Sequence, residues 1–225
     1  MIDLGLLSQK RPFLYHLTSK SNLPSITSSR TLLSTSVLLE QADDPGVNSY
    51  LRSRRKNHLL IQIGGRQVLI RDQRPLSKKA LPKCLEGGLT PEDYYELLNQ
   101  RVFLWATLPR LSRHHDRYRS EDPILLRFPT AEIIRLNPTV EFSRLNSGAT
   151  RANSHLGGIA PRRGRETFQV AKDYGYAISS IVEVTVRQRC VLPARFESAS
   201  NPEGPWFLVR SRTVRRGREA HILRG

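Results

Sequence analysis

The stretch Ile181-Val182-Glu183-Val184-Thr185-Val186 is the clearest strand in the chain. Side chains alternate across a strand, so Val182, Val184 and Val186 share one face while Ile181, Glu183 and Thr185 share the other. A carboxylate in the middle of a β-branched strand points to water, pairs with a cation, or works in a cleft. The plainest alternative is the wet face of an edge strand. The pattern alone leaves these open.

Upstream of that strand, residues 144–180 hold Gly148, Gly157-Gly158, Pro161 and Gly164 with little periodicity. They read as a long basic loop region, and long loops in compact domains tend to be functional. Near the other end, Phe13-Leu14-Tyr15-His16-Leu17-Thr18 alternates as a strand, with His16 and Thr18 on one face. Ser19 to Ser21 offer cap oxygens for a helix through Leu23, Ile26 and Arg30, which Ser34-Thr35-Ser36 closes. Residues 40–58 read as a helix or loop with a solvated basic face. Leu59–Ile63 and Val68–Arg71 flank the turn at Gly64-Gly65. Thr90-Pro91-Glu92-Asp93 starts the best-marked helix, with Tyr94, Leu97 and Leu98 as its buried stripe. Arg101–Trp105 then reads as a strand, Pro109–Tyr118 as a short helix and Pro123–Phe128 as a strand. The expected class is one mixed α/β (α+β) domain over residues 1–225, ending in a basic tail at 208–225.

The 225 residues, 38% of them hydrophobic, suffice for a real core. No run approaches the ~18 apolar residues of a membrane span. The N-terminal Leu4-Gly5-Leu6-Leu7 is too short for a signal sequence, so the expected location is the cytoplasm. Cys84 and Cys190 fit no metal or redox spacing and read as buried thiols. His114 and His115 are adjacent and cannot share a helix face, so no metal site is expected. Neither a nucleophile elbow nor a phosphate-binding Gly-rich loop is present.

Charge is the loudest compositional feature. The formal net charge is +16, carried by 29 arginines and seven lysines against 20 acids. Such a balance predicts attraction to polyanions, and arginine forks match phosphate geometry. Arg144, Arg151, Arg162, Arg163 and Arg165, all in the 144–180 region, are the expected nucleic-acid contacts; a solvated basic loop is the alternative.

Phe13–Thr18, Asn22-Leu23-Pro24-Ser25-Ile26 and Leu32-Leu33-Ser34 together resemble the opening of the DarT-like ADP-ribosyltransferases, where a strand ending His-x-Thr runs into a helix marked Asn-Leu-x-x-Ile. The Glu183 strand resembles that family's catalytic-glutamate strand. Arg71–Leu76, Leu98–Trp105 and Asn146–Ala149 look like a bacterial subgroup related to it. The resemblance covers roughly residues 12–190 and rests on the order of short motifs.

The resemblance implies a split β-sheet cleft that holds NAD as co-substrate, with flanking helices, a long basic substrate loop and no metal. It assigns catalysis to Glu183, NAD contacts to His16 and Thr18, and, less directly, Arg71, Phe103 and Trp105 to the same cleft, with Asn99 and Arg101 beside them. It further implies transfer of ADP-ribose to a base in single-stranded nucleic acid, because a base must leave its stack to be reached. Toxin or anti-phage roles come with the family, and a neutralising macrodomain becomes a candidate partner that no residue identifies. Protein modification or NAD hydrolysis at the same site, and a non-catalytic nucleic-acid-binding module, are the alternatives.

Overall fold

A computed structural model describes residues 1–152, 158 and 160–210. Among them, in chain order, lie α1 (Leu4–Lys10), β1 (Phe13–Ser19), α2 (Leu23–Ser29), β2 (Thr31–Leu33), α3 (Thr35–Glu40), β3 (Leu59–Ile63) and β4 (Arg66–Ile70). Next come α4 (Pro91–Asn99), β5 (Arg101–Trp105), α5 (Leu108–Tyr118), β6 (Pro123–Pro129), α6 (Thr130–Leu136) and β7 (Glu141–Ser143). The chain continues through β8 (Gln169–Val170), β9 (Glu183–Arg187), β10 (Arg189–Val191), β11 (Arg195–Ala199) and β12 (Phe207–Arg210).

Eight strands form one sheet in the order β12-β11-β6-β1-β5-β9-β7-β8, and β10-β2 and β3-β4 form two small pairs. Every ladder is antiparallel. The fold is therefore mixed α/β around a large antiparallel sheet, with helices on its faces.

The sheet is not evenly zipped. β1 pairs with β6 along its whole length, from Phe13↔Pro129 to Ser19↔Pro123. On its other side it meets β5 at the single register pair Tyr15↔Trp105. β5 instead follows β9 through five pairs, from Arg101↔Arg187 to Trp105↔Glu183. Beyond Tyr15 the β1–β5 contact passes to the His16 ring, which reaches the Phe103 carbonyl.

The β9 strand lies inside the sheet, with β5 on one side and β7 on the other. Val184 and Val186 pack into the main core with Leu14, Leu104, Leu126, Phe128 and Phe142. Glu183 and Thr185 on the opposite face are buried as well. The edge-strand reading of Glu183 is thereby removed. The strand begins at Glu183 rather than Ile181, although Val182 still donates its amide to the Ser143 carbonyl (2.8 Å).

Local signals act as their chemistry requires at most boundaries. Thr90 and Asp93 form a reciprocal capping box on α4, with Pro91 in its first turn. Gly64 and Gly65, at φ 55° and 74°, turn the β3–β4 hairpin through a conformation that side chains resist. Ser34 does not end a helix but caps the next one, accepting from the Val37 amide. Ser19 and Ser21 cap nothing, and α2 starts at Leu23 with Asn22 as an N-cap that makes no side-chain cap bond. Residues 45–52 wind as a 3-10 helix, capped by Asp44.

The 144–180 region is partly built into the body. It contributes β8, the short turns Arg165–Thr167 and Ile178–Ser180, and the buried rings of Phe168 and Tyr174. Residues 153–157 and 159 lie outside the described residues, as do 211–225 of the tail. Leu208–Arg210 of that tail are not a free segment but part of β12, the edge strand beside β11.

Candidate functional site

A cleft encloses about 320 Å³, and its walls include His16, Thr18, Arg71, Phe103, Trp105 and Glu183. These come from β1, the end of the β3–β4 hairpin, β5 and β9, which meet around one space.

His16 Nδ1 lies 2.9 Å from the Phe103 carbonyl oxygen. Since a carbonyl only accepts, Nδ1 carries the proton and Nε2 is left as an acceptor. Burial pushes the His16 pKa down to about 4, with the Phe103 hydrogen bond working the other way, so the ring is neutral near pH 7. Asn22 donates to Thr18 Oγ1 (3.1 Å) and exchanges two bonds with the backbone of Leu69. That asparagine clamps the β3–β4 hairpin to β1 and sets one wall of the cleft.

Glu183 is buried deeper. Its Oε2 accepts from the Ser147 hydroxyl (2.7 Å) and the Ser147 amide (3.1 Å). Burial raises its pKa to about 7; the two Ser147 bonds and the charges of Arg163 and Arg110 oppose that rise. The carboxylate is held in place by neutral donors, so its charge is stabilised weakly and changes near neutral pH.

Arg71 donates to the Thr18 carbonyl (3.2 Å) and to Glu121 (3.2 Å), and its guanidinium stacks 4.6 Å from the centre of the Tyr118 ring. Its buried Nε has no partner among the described residues. Phe103 and Trp105 are half-buried on β5; Phe103 meets Phe168 edge-on, and Trp105 lies 5.3 Å from the His114 ring. His114 and Arg117, from α5, also line the cleft. Burial, then the charges of Arg71 and Arg117, lowers the His114 pKa to about 3.

At the mouth stands a second acidic cluster. Glu121 binds His58 (2.5 Å) and Arg74 (3.0 Å) as well as Arg71, and Asp72 takes Arg74 (2.8 Å) and His58 (3.2 Å). Burial alone would raise both carboxyls. Hydrogen bonds from His58 to Glu121 and from Arg74 to both outweigh it and hold both below the usual range.

Two neighbours of the cleft are structural. Asn99 accepts from Arg55 and Gln73 and donates to the carbonyls of Tyr50 and Leu51. Arg101 is spent on Glu141 (2.7 and 3.0 Å) and packs over Phe168. Of the expected nucleic-acid contacts, Arg144, Arg151, Arg162 and Arg165 are exposed. Arg163 is not: it is buried and donates to the carbonyls of Pro161 and Ala149. A parallel bridge to Leu85 pulls its backbone inward, so Arg163 braces the loop rather than facing a ligand. Cys84 and Cys190 are buried free thiols.

Sequence reasoning missed Ser147, His114 and Arg117. The helical period could have found the last two: residues 110, 113, 114 and 117 of α5 share a face beside that of the buried Leu111, His115 and Tyr118. Ser147 lies in the Asn146–Ala149 stretch that the resemblance includes, but nothing there ties it to a partner 36 residues away.

Among the described residues, no group of three or more His, Cys, Asp or Glu is placed to hold a metal ion. Nor is any helix there long and apolar enough to cross a membrane.

A mixed α/β protein with a large antiparallel sheet, and a buried carboxylate lining a cleft beside it, is the class this fold and site define. The chain belongs to a family of unknown function, DUF7002, whose model matches residues 12–196. No curated protein and no solved structure matches it.

Proposed function

We propose that the protein is an ADP-ribosyltransferase whose cleft takes NAD as co-substrate and whose acceptor is a base of single-stranded DNA or RNA. The observation that carries this reading is the meeting of a neutral histidine, an arginine with an unused donor, two aromatic rings and a buried carboxylate, all far apart in sequence, in one cleft.

The donor set fits NAD. Arg71 and Arg117 supply positive charge for a pyrophosphate, and Arg117 has no hydrogen-bond or ion-pair partner among the described residues. His16 Nε2 accepts from a ribose hydroxyl. Phe103 and Trp105 offer flat apolar faces to the nicotinamide ring. Glu183 suits the nicotinamide ribose.

In the reaction the bond between nicotinamide and ribose C1′ breaks, and nicotinamide leaves with the bonding electrons. Positive charge grows on the sugar, as in glycoside hydrolysis. The Glu183 carboxylate, fixed by Ser147, stabilises that charge and takes the proton that the attacking nitrogen sheds. A pKa near 7 lets one residue do both at neutral pH.

The test is nicotinamide release from NAD by purified protein, with and without mixed-sequence single-stranded DNA and RNA. Glu183→Gln keeps the shape and removes the charge; turnover drops ~100- to 1000-fold while NAD binding persists. Full turnover by the variant sinks the assignment. Release stimulated by a protein acceptor and not by oligonucleotides would move the acceptor to protein. Oligonucleotide binding without any release would leave a binding module.

A further inference from the structure

A second groove lies against the N-terminal helix, lined by Leu6, Lys10 and Arg11 on one bank and Tyr176, Ile178 and Ser179 on the other. We propose that this groove carries the acceptor strand: single-stranded nucleic acid enters past Arg113 and Arg110 on α5, crosses Arg11 and stacks a base on Tyr176. The inference rests on the nucleic-acid acceptor of the reading above and adds the path by which it reaches Glu183.

Four observations converge. First, the groove and the cleft are joined by charge. His114 and Arg117 of α5 line the cleft, Arg110 and Arg113 share their helix face, and Arg110 is near enough to both Glu183 and Arg11 to feel their charges. Second, these arginines are unspent. Arg52, Arg71, Arg74, Arg101, Arg127 and Arg135 each hold a carboxylate. Arg11, Arg110 and Arg113 hold none among the described residues, and Arg113 makes only one weak bond to the Pro109 carbonyl (3.3 Å). The buried Nε of Arg11 has no partner at all there.

Third, the far bank offers an aromatic platform. Tyr176 is 49% exposed, with Arg144 3.9 Å from its ring centre and Tyr174 against it edge-on. An exposed ring beside a guanidinium suits sequence-tolerant binding of unstacked bases. Fourth, Arg144, whose guanidinium covers Tyr176, directly follows Ser143 at the end of β7, the register partner of Glu183 on β9. The carboxylate bordering the groove, Asp3, is already engaged as the cap of α1. A phosphate backbone is the occupant that this charge calls for.

The test needs no NAD, so a failure of the transferase chemistry leaves it readable. Binding of a fluorescein-labelled, mixed-sequence 12-nucleotide single-stranded DNA is followed by anisotropy across a salt series, using the full chain. A variant carrying Arg11→Ala, Arg110→Ala and Arg113→Ala should bind at least tenfold more weakly, and its log K against log salt slope should fall by about 2, at roughly 0.7 per phosphate contact. A charge-matched control with Arg66→Ala, Arg187→Ala and Arg195→Ala, three exposed sites elsewhere, should lose far less. Tyr176→Ala should weaken binding about tenfold and Tyr176→Phe should bind like the parent, since stacking survives without the hydroxyl. Equal losses in the two triple variants, or a poly-glutamate peptide binding as tightly as the oligonucleotide, overturns the proposal. Unfolding midpoints of all variants guard against a fold defect.

Discussion

Two carboxylates, one lining the cleft and one bound to the Arg71 that lines it, are treated in opposite ways. Glu183, in the depth, is desolvated and bound by a hydroxyl and an amide, and its pKa rises to about 7. Glu121, at the mouth, is ringed by His58, Arg71 and Arg74 and is held below its usual value. The difference lies in the partners. Cations settle a carboxylate's charge permanently, whereas neutral donors fix its position and leave its charge to be stabilised by whatever enters the cleft. A positioned, under-compensated carboxylate has a charge to offer a growing cation; an ion-paired one holds walls together.

The comparison breaks first, and hardest, on the pH dependence of stability. The folded pKa of Glu183 stands about 7 against an ordinary 4.5. Below about pH 4.5 both folded and unfolded chains hold the proton, and the full stability is present. As pH rises from there to about 7, the unfolded chain releases its proton and the folded one keeps it, so stability falls, by on the order of 3 kcal/mol. Glu183→Gln lacks that loss. Urea unfolding at intervals from pH 4 to 8 should show the variant gaining on the parent by about that amount. His16 and His114, with their lowered pKa values, act alike in both chains and cancel in the difference. Parallel profiles would mean that Glu183 is solvated and ordinary.

Much of this architecture is legible locally. The alternation in Phe13–Thr18, Arg101–Trp105 and Val182–Val186 predicts three strands that occur, and the cap at Thr90 predicts α4. Strand periodicity also isolates Glu183 as a carboxylate out of place. What local pattern cannot supply is the environment of a residue. Arg162, Arg163 and Arg165 read alike, and only the long-range bridge at Leu85 buries the middle one. Ser147 sits in an aperiodic Gly-containing stretch, and its role exists only once β9 is threaded between β5 and β7. In the sequence His114 and His115 read alike, as adjacent histidines that cannot share a metal. Helix geometry sends one to the cleft and the other to the carbonyl of Ser200.

A finer test lies at the serine. Ser147→Ala removes the 2.7 Å hydroxyl bond and leaves the amide bond, so Glu183 keeps roughly its place while its ionised form loses support. A bond to a charged acceptor is worth about 1.5–3 kcal/mol, enough to raise the carboxyl's pKa by about one unit or more. The acidic limb of kcat/KM should therefore move from near pH 7 toward 8 or above. Turnover at pH 7 should drop about tenfold and recover at pH 9. A uniform loss with the limb unmoved would make Ser147 a packing residue instead of a positioning one.

The smallest effect is expected at the mouth, with the opposite sign. Glu121→Gln keeps hydrogen bonding and removes the charge that Arg71, Arg74 and His58 share. The side chain is 29% exposed, so the ion pairs are partly screened and the loss at pH 7 should stay within about 1 kcal/mol. Because the folded pKa is depressed, that contribution is present above the ordinary value of 4.5 and is lost as pH falls through the folded one. Parent and variant should thus converge in acid, whereas the Glu183 pair converges there and diverges toward neutrality with the variant the more stable. Held by a neutral acceptor instead of a charge, Arg71 keeps more of its own charge for the ligand, and NAD should bind up to about fivefold tighter by calorimetry. Weaker NAD binding in Glu121→Gln would show that the mouth carboxylate orients Arg71 for the ligand, and that both ends of the cleft, not its depth alone, are built for recognition.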